Sequence, residues 1–156
     1  MEYISKSEKE TYKIAFDFVS NSLLEGGLQG ANMVGLYGEL GAGKTTFMKG
    51  VAKYFGIIET IQSPTFVIEK IYEIENNRQK TIDKKFKHLI HIDAYRIEKS
   101  NEMINLGWNE IIADPENLIF VEWPERIIDI MPKHSKIYFE HLNIKGNDSK
   151  RKVTIK

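Results

Sequence analysis

Two unbroken apolar runs interrupt a chain in which apolar residues otherwise alternate with polar ones or recur at helical spacing. Residues 33–37 form the first run, and residues 118–121 form the second, which ends directly before Glu122. Apolar runs of this length are typical of strands that a parallel sheet buries on both faces. The pattern therefore predicts two central strands.

Two longer segments have the 3.6-residue spacing of amphipathic helices. The first begins at a capping box, with Ser7 as N-cap and Glu10 as the third helical residue, and it ends at Gly26-Gly27. The second follows residue 45, carries apolar residues at helical spacing, and ends at Gly56. Shorter helices are predicted over 98–106, 108–113 and 124–131, the last beginning at Pro124.

The segment between the first apolar run and the second helix, residues 38–45, matches the phosphate-binding pattern G-x-x-x-x-G-K-[ST]. Backbone N–H groups of such a loop wrap a phosphate chain, and its glycines leave room for that approach. Lys44 supplies a charge for the β- and γ-phosphates, and the Thr45 hydroxyl can bind Mg²⁺. We expect the nucleotide to be held by Gly41, Ala42, Gly43, Lys44, Thr45 and Thr46.

Two acidic residues end predicted strands and are candidates for the chemistry. Glu122 follows the second apolar run, and Asp93 ends the strand-like segment 89–93. An acid at such a strand end can hold metal-bound water or orient an attacking water. We expect Lys44, Asp93 and Glu122 to be catalytic, and Thr45 and Glu122 to form the metal site; the alternatives are a solvated glutamate and a strand-end cap.

The remaining pattern favours an α/β fold. Residues 66–72 and 89–93 are rich in β-formers, and the polar, basic stretch 75–87 between them predicts a hairpin with a long solvated tip. Residues 136–142 and 152–155 alternate like two late strands around a turn at 147–148. We expect a P-loop NTPase-like domain with a mostly parallel central sheet, flanking helices and an inserted antiparallel hairpin. No boundary is visible, so residues 1–156 are predicted to form a single domain.

Several segments keep two interpretations. Residues 63–65, Ser-Pro-Thr, are either a switch that senses the γ-phosphate or an ordinary turn around proline. Trp123 either packs on the site or on a partner, or is half-buried core. The basic run 150–152 either contacts phosphate, adenine or tRNA, or protects a strand edge. His88 and His91 point to opposite faces of a strand, so they do not predict a transition-metal site, whereas His91 and Asp93 share a face.

Composition excludes several classes of function. The 156 residues carry 22 basic and 22 acidic side chains, which gives no electrostatic case for a dedicated nucleic-acid binder, and we expect no DNA partner. No stretch has the length of a membrane span and the N-terminus lacks an apolar signal region, so a cytoplasmic protein without a membrane partner is expected. The guanine-reading motif N-K-x-D is absent, which favours ATP as the nucleotide. Cysteine is absent, which removes disulfides and cysteine-ligated metals.

Four blocks of the chain together resemble the TsaE (YjeE) family. In order they are residues 38–46, 63–66, 91–96 and 121–126, which read GELGAGKTT, SPTF, HIDAYR and VEWPER. The first block is generic for P-loops, and the other three in combination are specific. The resemblance spans residues 7–155, although the stretch 76–87 is longer and more basic than the family's hairpin.

This resemblance implies a small bacterial Mg-dependent ATPase that works with the TsaB and TsaD proteins. Their machinery installs threonylcarbamoyl on an adenosine beside the tRNA anticodon, and the ATPase acts on the cycle of the complex, touching tRNA indirectly or weakly. By position, Lys44 and Thr45 contact phosphate and Mg²⁺, Asp93 and Glu122 are the hydrolytic acids, and residues 63–65 match the family's switch-like loop.

Two other readings compete with an accessory ATPase. A small-molecule P-loop kinase would need an arginine-rich lid, and the chain has only Arg78, Arg96, Arg126 and Arg151. A regulatory module that binds nucleotide without turning it over would not need acids at two strand ends.

Overall fold

A computed structural model of the chain describes residues 1–23, 30–64, 67–74, 86–142 and 150–156. Its strands and helices are β1 (Glu2–Ser5), α1 (Glu8–Ser22), β2 (Asn32–Tyr37), α2 (Lys44–Tyr54), β3 (Glu69–Glu73), β4 (His88–Asp93), α3 (Asn101–Asn105), α4 (Trp108–Ala113), β5 (Asn117–Glu122), β6 (Ser135–His141) and β7 (Arg151–Ile155). Two short 3-10 turns, Ala94–Arg96 and Pro124–Arg126, come after β4 and β5.

The strands form one sheet in the order β1-β7-β6-β2-β5-β4-β3. Its four inner strands, β6, β2, β5 and β4, are parallel to one another. β3 pairs antiparallel with β4 at one edge, and β7 and β1 are antiparallel at the other. The predicted α/β fold with a mostly parallel core and an inserted hairpin is confirmed. Of the predicted hairpin tip, residues 75–85 lie outside the described residues.

Apolar side chains are buried on both faces of the sheet. Val34 and Leu36 of β2 belong to a cluster with residues of α1 and α2, whereas Met33 belongs to a second cluster with Met103 and Trp108 from α3 and α4. Since neighbouring residues of a strand point to opposite faces, the two clusters cover the two sides of the sheet. The apolar run of β2 is therefore buried on both sides, as predicted, and α2 lies on the first side.

The start of α1 is as predicted. The Ser7 hydroxyl accepts a hydrogen bond from the backbone N–H of Glu10 at 3.2 Å. The Glu10 carboxylate in turn accepts from the N–H of Lys6 at 2.6 Å, one residue before the N-cap. The first of these bonds satisfies an amide group that a helix start leaves without an internal partner. The predicted end of this helix, at residues 26–27, and the turn at 147–148 lie outside the described residues.

The strand predicted over 66–72 is wrong at its beginning. Val67 and Ile68 form a turn in which both backbone N–H groups donate to the carbonyl of Pro64, at 2.9 and 2.6 Å. Ile68 takes a positive φ of 67°, which no strand residue adopts. The β-forming side chains are therefore used in a tight turn, and pairing with β4 begins only at Glu69.

The helix predicted from Pro124 through Met131 is also wrong, because only the 3-10 turn Pro124–Arg126 forms. Its N–H groups reach back three residues rather than four: Ile127 donates to Pro124 and Ile130 to Ile127. Ile127, at φ −131° and ψ 22°, leaves the helical region and is fully buried in the second apolar cluster. The helix predicted over 98–106 is likewise limited to Asn101–Asn105, while the strand β1 was not predicted.

Within the described ranges, no helix combines the length and the apolar character needed to cross a bilayer.

The contact between α1 and α2 requires a glycine. A Cβ at Gly50 would lie 2.8 Å from the Cβ of Ala15 and 3.0 Å from the Cα of Tyr12. Neither atom can move without moving α1. We expect Gly50→Ala to lower the free energy of unfolding by about 1–2 kcal/mol in urea titrations, since overpacking outweighs the better helix propensity of alanine.

The same substitution in an Ala15→Gly background is the matched control. The loss should be smaller there, because the closest contact has been removed and the two positions are coupled. A Gly50→Ala protein as stable as the parent would contradict the close packing of the two helices.

Candidate functional site

The loop between β2 and α2 has the backbone shape that its glycines permit. Gly38, Gly41 and Gly43 have φ values of 141°, 74° and 109°, a region that other residues rarely adopt. Gly43 is the N-cap of α2 and offers no side chain to cap it. The first N–H groups of this helix are therefore left uncapped by a side chain, and an anion is the ligand that such a terminus prefers.

Lys44 lies folded against the loop and is only 4% exposed. Its Nζ donates to the carbonyls of Gly38 and Glu39, at 2.5 and 2.9 Å, and lies 4.4 Å from the centre of the Trp123 ring. Burial lowers the pKa of Lys44, while the nearby charges of Glu122 and Asp93 act in the opposite direction. The ammonium group is thus held at the mouth of the loop, close to both acids.

Glu122 and Asp93 are brought together by the pairing of β4 with β5, in which they lie opposite each other. They are 3% and 2% exposed. Both side chains share the face of the sheet that carries α2, because they alternate with Val121 and Ile92 of the other cluster. From α2, the Thr45 hydroxyl donates to Glu122 Oε1 at 3.2 Å.

Asp93 is held by the chain on both sides of it. The Ser63 hydroxyl donates to Asp93 Oδ2 at 2.6 Å, and the backbone N–H of Tyr95 donates to Oδ1 at 3.0 Å. The first residue of the predicted switch segment therefore contacts an acid of the site. Thr65, the last residue of that segment, lies outside the described residues.

His91 belongs to the site, although the sequence alone assigned it no role. Its ring is completely buried, and Nε2 lies 3.0 Å from Glu122 Oε1. Its placement on the face of Asp93 was readable from strand alternation. The contact with Glu122 was not, because it depends on the register of two strands that are distant in sequence.

These groups line a cleft of about 300 Å³. It is bordered by Leu40, Gly41, Gly43, Lys44, Thr45, Thr46, Ser63, Asp93, Tyr95, Glu122 and Trp123. Of the predicted nucleotide-binding residues, only Ala42 is absent from this lining, since its side chain is buried in the apolar cluster. Trp123 lines the cleft and also packs, partly buried, against the second apolar cluster, so both of its interpretations apply.

A second cleft of about 290 Å³ lies on the other side of the loop. It shares Gly41, Gly43 and Thr46 with the first and extends to Ser7 and Thr11 at the start of α1. Arg151 lines it too, so one residue of the basic run 150–152 faces the loop. Lys152 instead pairs with Glu2 at 2.9 Å on the neighbouring strand.

The side-chain oxygen atoms that line the first cleft are suited to bind Mg²⁺. Among the described residues, no group of three or more His, Cys, Asp or Glu side chains could hold a metal by itself. Mg²⁺ is commonly held by one or two protein oxygens together with phosphate oxygens and water. The Thr45 hydroxyl and the buried Glu122 carboxylate lie 3.2 Å apart. Together they offer hard oxygen ligands of that kind.

Comparisons with known proteins identify the family. The model of the family described as "Threonylcarbamoyl adenosine biosynthesis protein TsaE" matches residues 5–153. A tRNA threonylcarbamoyladenosine biosynthesis protein TsaE from Treponema pallidum is 30% identical over 99% of both chains. Its counterpart from Borreliella burgdorferi is 38% identical over 63% of this chain and 64% of its own.

A solved structure has a similar fold. The crystal structure of YdiB from Bacillus subtilis superposes with a TM-score of 0.70, at 26% identity, covering 99% of this chain and 83% of that one. The match of the family model extends over all four motif blocks and over every residue of the site described above. The chain belongs to the TsaE family.

Proposed function

We propose that this protein binds ATP with Mg²⁺, hydrolyses it, and thereby serves the threonylcarbamoyladenosine modification of tRNA together with the TsaB and TsaD proteins. One observation carries the hydrolytic part. The phosphate-binding loop opens into a cleft where the Thr45 hydroxyl lies 3.2 Å from the buried carboxylate of Glu122, which is itself paired in register with Asp93. The relatives' shared name, with its reference to tRNA, supports the biological role.

The loop and α2 would hold the phosphates. The uncapped N–H groups at the start of α2 and its dipole favour an anion there. Lys44 would leave the carbonyls of Gly38 and Glu39 for the β- and γ-phosphates. A threonine hydroxyl has lone pairs for a cation while its hydrogen donates to a carboxylate, so Thr45 can serve Mg²⁺ without losing Glu122. Bound Mg²⁺ would neutralise charge on the β- and γ-phosphate oxygens.

The two acids would act on water. In hydrolysis a water oxygen bonds to the γ-phosphorus, the bond from that phosphorus to the bridging oxygen of ADP breaks, and the water proton leaves to a carboxylate or to phosphate. Glu122 and Asp93 are acceptors that line the same cleft as the loop, and they can orient that water. The hydrogen bonds that each carboxylate accepts hold it in one orientation before the substrate arrives.

The second cleft is suited to the nucleoside. It shares three residues with the first cleft, so a nucleotide can lie across the loop from one cleft into the other. Arg151 offers a guanidinium that can stack on a base or contact a phosphate.

Exposed apolar side chains at the rim of the first cleft favour the proposal of a protein partner. Leu40 is 84% exposed and Tyr95 49%, and both line this cleft. Exposed apolar side chains grouped around a site are typical of interaction surfaces. In the proposal, TsaB and TsaD cover this rim, and tRNA is reached through them.

We expect Lys44→Ala to fold like the parent and to lose most ATP binding. The substitution removes the charge that faces the phosphates and leaves the loop glycines in place. Isothermal titration should give an affinity lowered by roughly 10-fold or more, on the scale of about 1.5–3 kcal/mol for a hydrogen bond to a charged group. Lys53→Ala, at the exposed end of the same helix, is the control and should bind normally. Unchanged affinity in Lys44→Ala would remove the loop from nucleotide binding.

We expect Glu122→Gln and Asp93→Asn to keep nucleotide binding and to lose hydrolysis by about 100-fold or more, the scale of a positioned acid or base. The amides keep the size of the side chains but remove the charge that accepts from water. Phosphate release is measured without any added acceptor, which separates hydrolysis from kinase activity. Glu110→Gln, exposed on α4, is the control. Full activity in either site variant would exclude that residue from the reaction.

We expect ATP to strengthen association with a TsaB–TsaD pair relative to ADP. Ser63 contacts Asp93 directly, so a ligand beside Asp93 can change the order of the segment 63–65 and of the rim next to it. By linkage, the pair must raise ATP affinity by the same factor. Titrations in ATP, ADP and no nucleotide test this, with hydrolysis blocked by Glu122→Gln. Equal affinities in all three states would rule out the switch.

A further inference from the structure

His91 reaches the site from beneath it. The residue lies in the middle of β4, with its ring completely buried on the face that carries α2. Its Nε2 is 3.0 Å from Glu122 Oε1, the oxygen that also accepts from the Thr45 hydroxyl at 3.2 Å. One carboxylate oxygen is therefore held by donors from two different elements, a central strand and the helix of the phosphate loop.

The second ring nitrogen of His91, Nδ1, helps to explain why position 91 is a histidine. Nδ1 is buried and has no hydrogen-bond partner among the described residues. An ionised carboxylate only accepts, so the ring hydrogen belongs on Nε2, and Nδ1 is left as an unmet acceptor. A buried polar atom without a partner is unfavourable for folding. The bond to Glu122 is the one polar contact of this ring among the described residues, so it is the contact that a histidine here serves.

We propose that His91 is a positioning residue that fixes the Glu122 carboxylate for its work on metal-bound or attacking water. This inference rests on the proposed function. The terminal torsion of a glutamate is broad, so an unrestrained carboxylate samples many orientations. His91 is attached to a strand paired on both sides, with β3 and β5, and it holds Oε1 from a rigid base. In the proposed function Thr45 also binds Mg²⁺, whereas the His91 ring makes its polar contact, within the described part of the chain, only with Glu122.

The experiment compares two substitutions with a control. His91→Leu fills the space but removes the donor, whereas His91→Gln keeps an N–H near the position of Nε2. His88→Leu, on the same strand, is the control, because His88 contacts Asn117 and not the site. Steady-state ATP hydrolysis, Mg²⁺ titration and Mg-free ADP binding are measured on each full-length protein, with thermal unfolding alongside.

We expect His91→Leu to lower kcat by about 10- to 100-fold and to raise the Mg²⁺ concentration for half-maximal activity, the scale for losing a group that orients a metal-site residue. Its KM for ATP and its Mg-free ADP affinity should stay within about twofold, because phosphate contacts are intact. Its thermal unfolding should stay cooperative, so that the loss of kcat is measured on a folded protein. His91→Gln should regain most of kcat, and His88→Leu should match the parent. Parental kcat in His91→Leu, or no recovery in His91→Gln, would overturn the proposal.

A second readout does not depend on turnover. Nitrogen-15 NMR of the parent should place the His91 ring hydrogen on Nε2, and Glu122→Gln should shift that signal while leaving His88 unchanged. A hydrogen on Nδ1, or a signal insensitive to Glu122→Gln, would contradict the bond to Glu122. Because this measurement needs neither ATP nor hydrolysis, a failure of the proposed ATPase function and a failure of the His91 inference are distinguishable.

Discussion

The parallel register of β2, β5 and β4 is the constraint on which the site depends. Glu122 lies opposite Leu36 of β2 on one side and opposite Asp93 of β4 on the other. Parallel strands end at the same edge of a sheet, so the loop after β2 and both acids meet there. A shift of one residue in either pairing would turn an acid to the opposite face, away from α2.

That register places two carboxylates side by side in a buried position, where each needs donors or a counter-charge. Thr45 and His91 supply donors to Glu122, and Ser63 and the backbone of Tyr95 supply them to Asp93. Lys44 is the nearby cation, but its own hydrogen bonds go to loop carbonyls. A triphosphate would add negative charge to this cleft. Mg²⁺ is therefore part of the proposal for an electrostatic reason that is independent of the sequence motif.

Local signals allowed most of this fold to be predicted. The apolar runs, the Ser7 cap and the loop glycines each act within a few residues, as do the β-forming residues of 89–93 and the alternation of 136–142. Together these signals located all four strands of the parallel core and both long helices. β1 was missed because its support is pairing with β7 at the other end of the chain. The helix from Pro124 failed because burial of Ile127 in the second cluster decides its backbone. The contact of His91 with Glu122 depends on register, which no local pattern encodes.

The two acids are also followed in the chain by aromatic residues that lie next to the loop. Each acid ends its strand and is followed by a short turn, which brings Tyr95 and Trp123 to 5.2 Å between ring centres. Trp123 has a positive φ of 57°, a strained conformation for a bulky residue that costs of order 1–3 kcal/mol and persists only where its surroundings impose it. Here its ring lies against Lys44. In the proposed cycle, Lys44 must leave that ring to reach a phosphate, and Trp123 loses a contact that favours its strained backbone. Since Tyr95 is half exposed at the rim, the proposed cycle would change the surface where a partner would bind when a phosphate arrives.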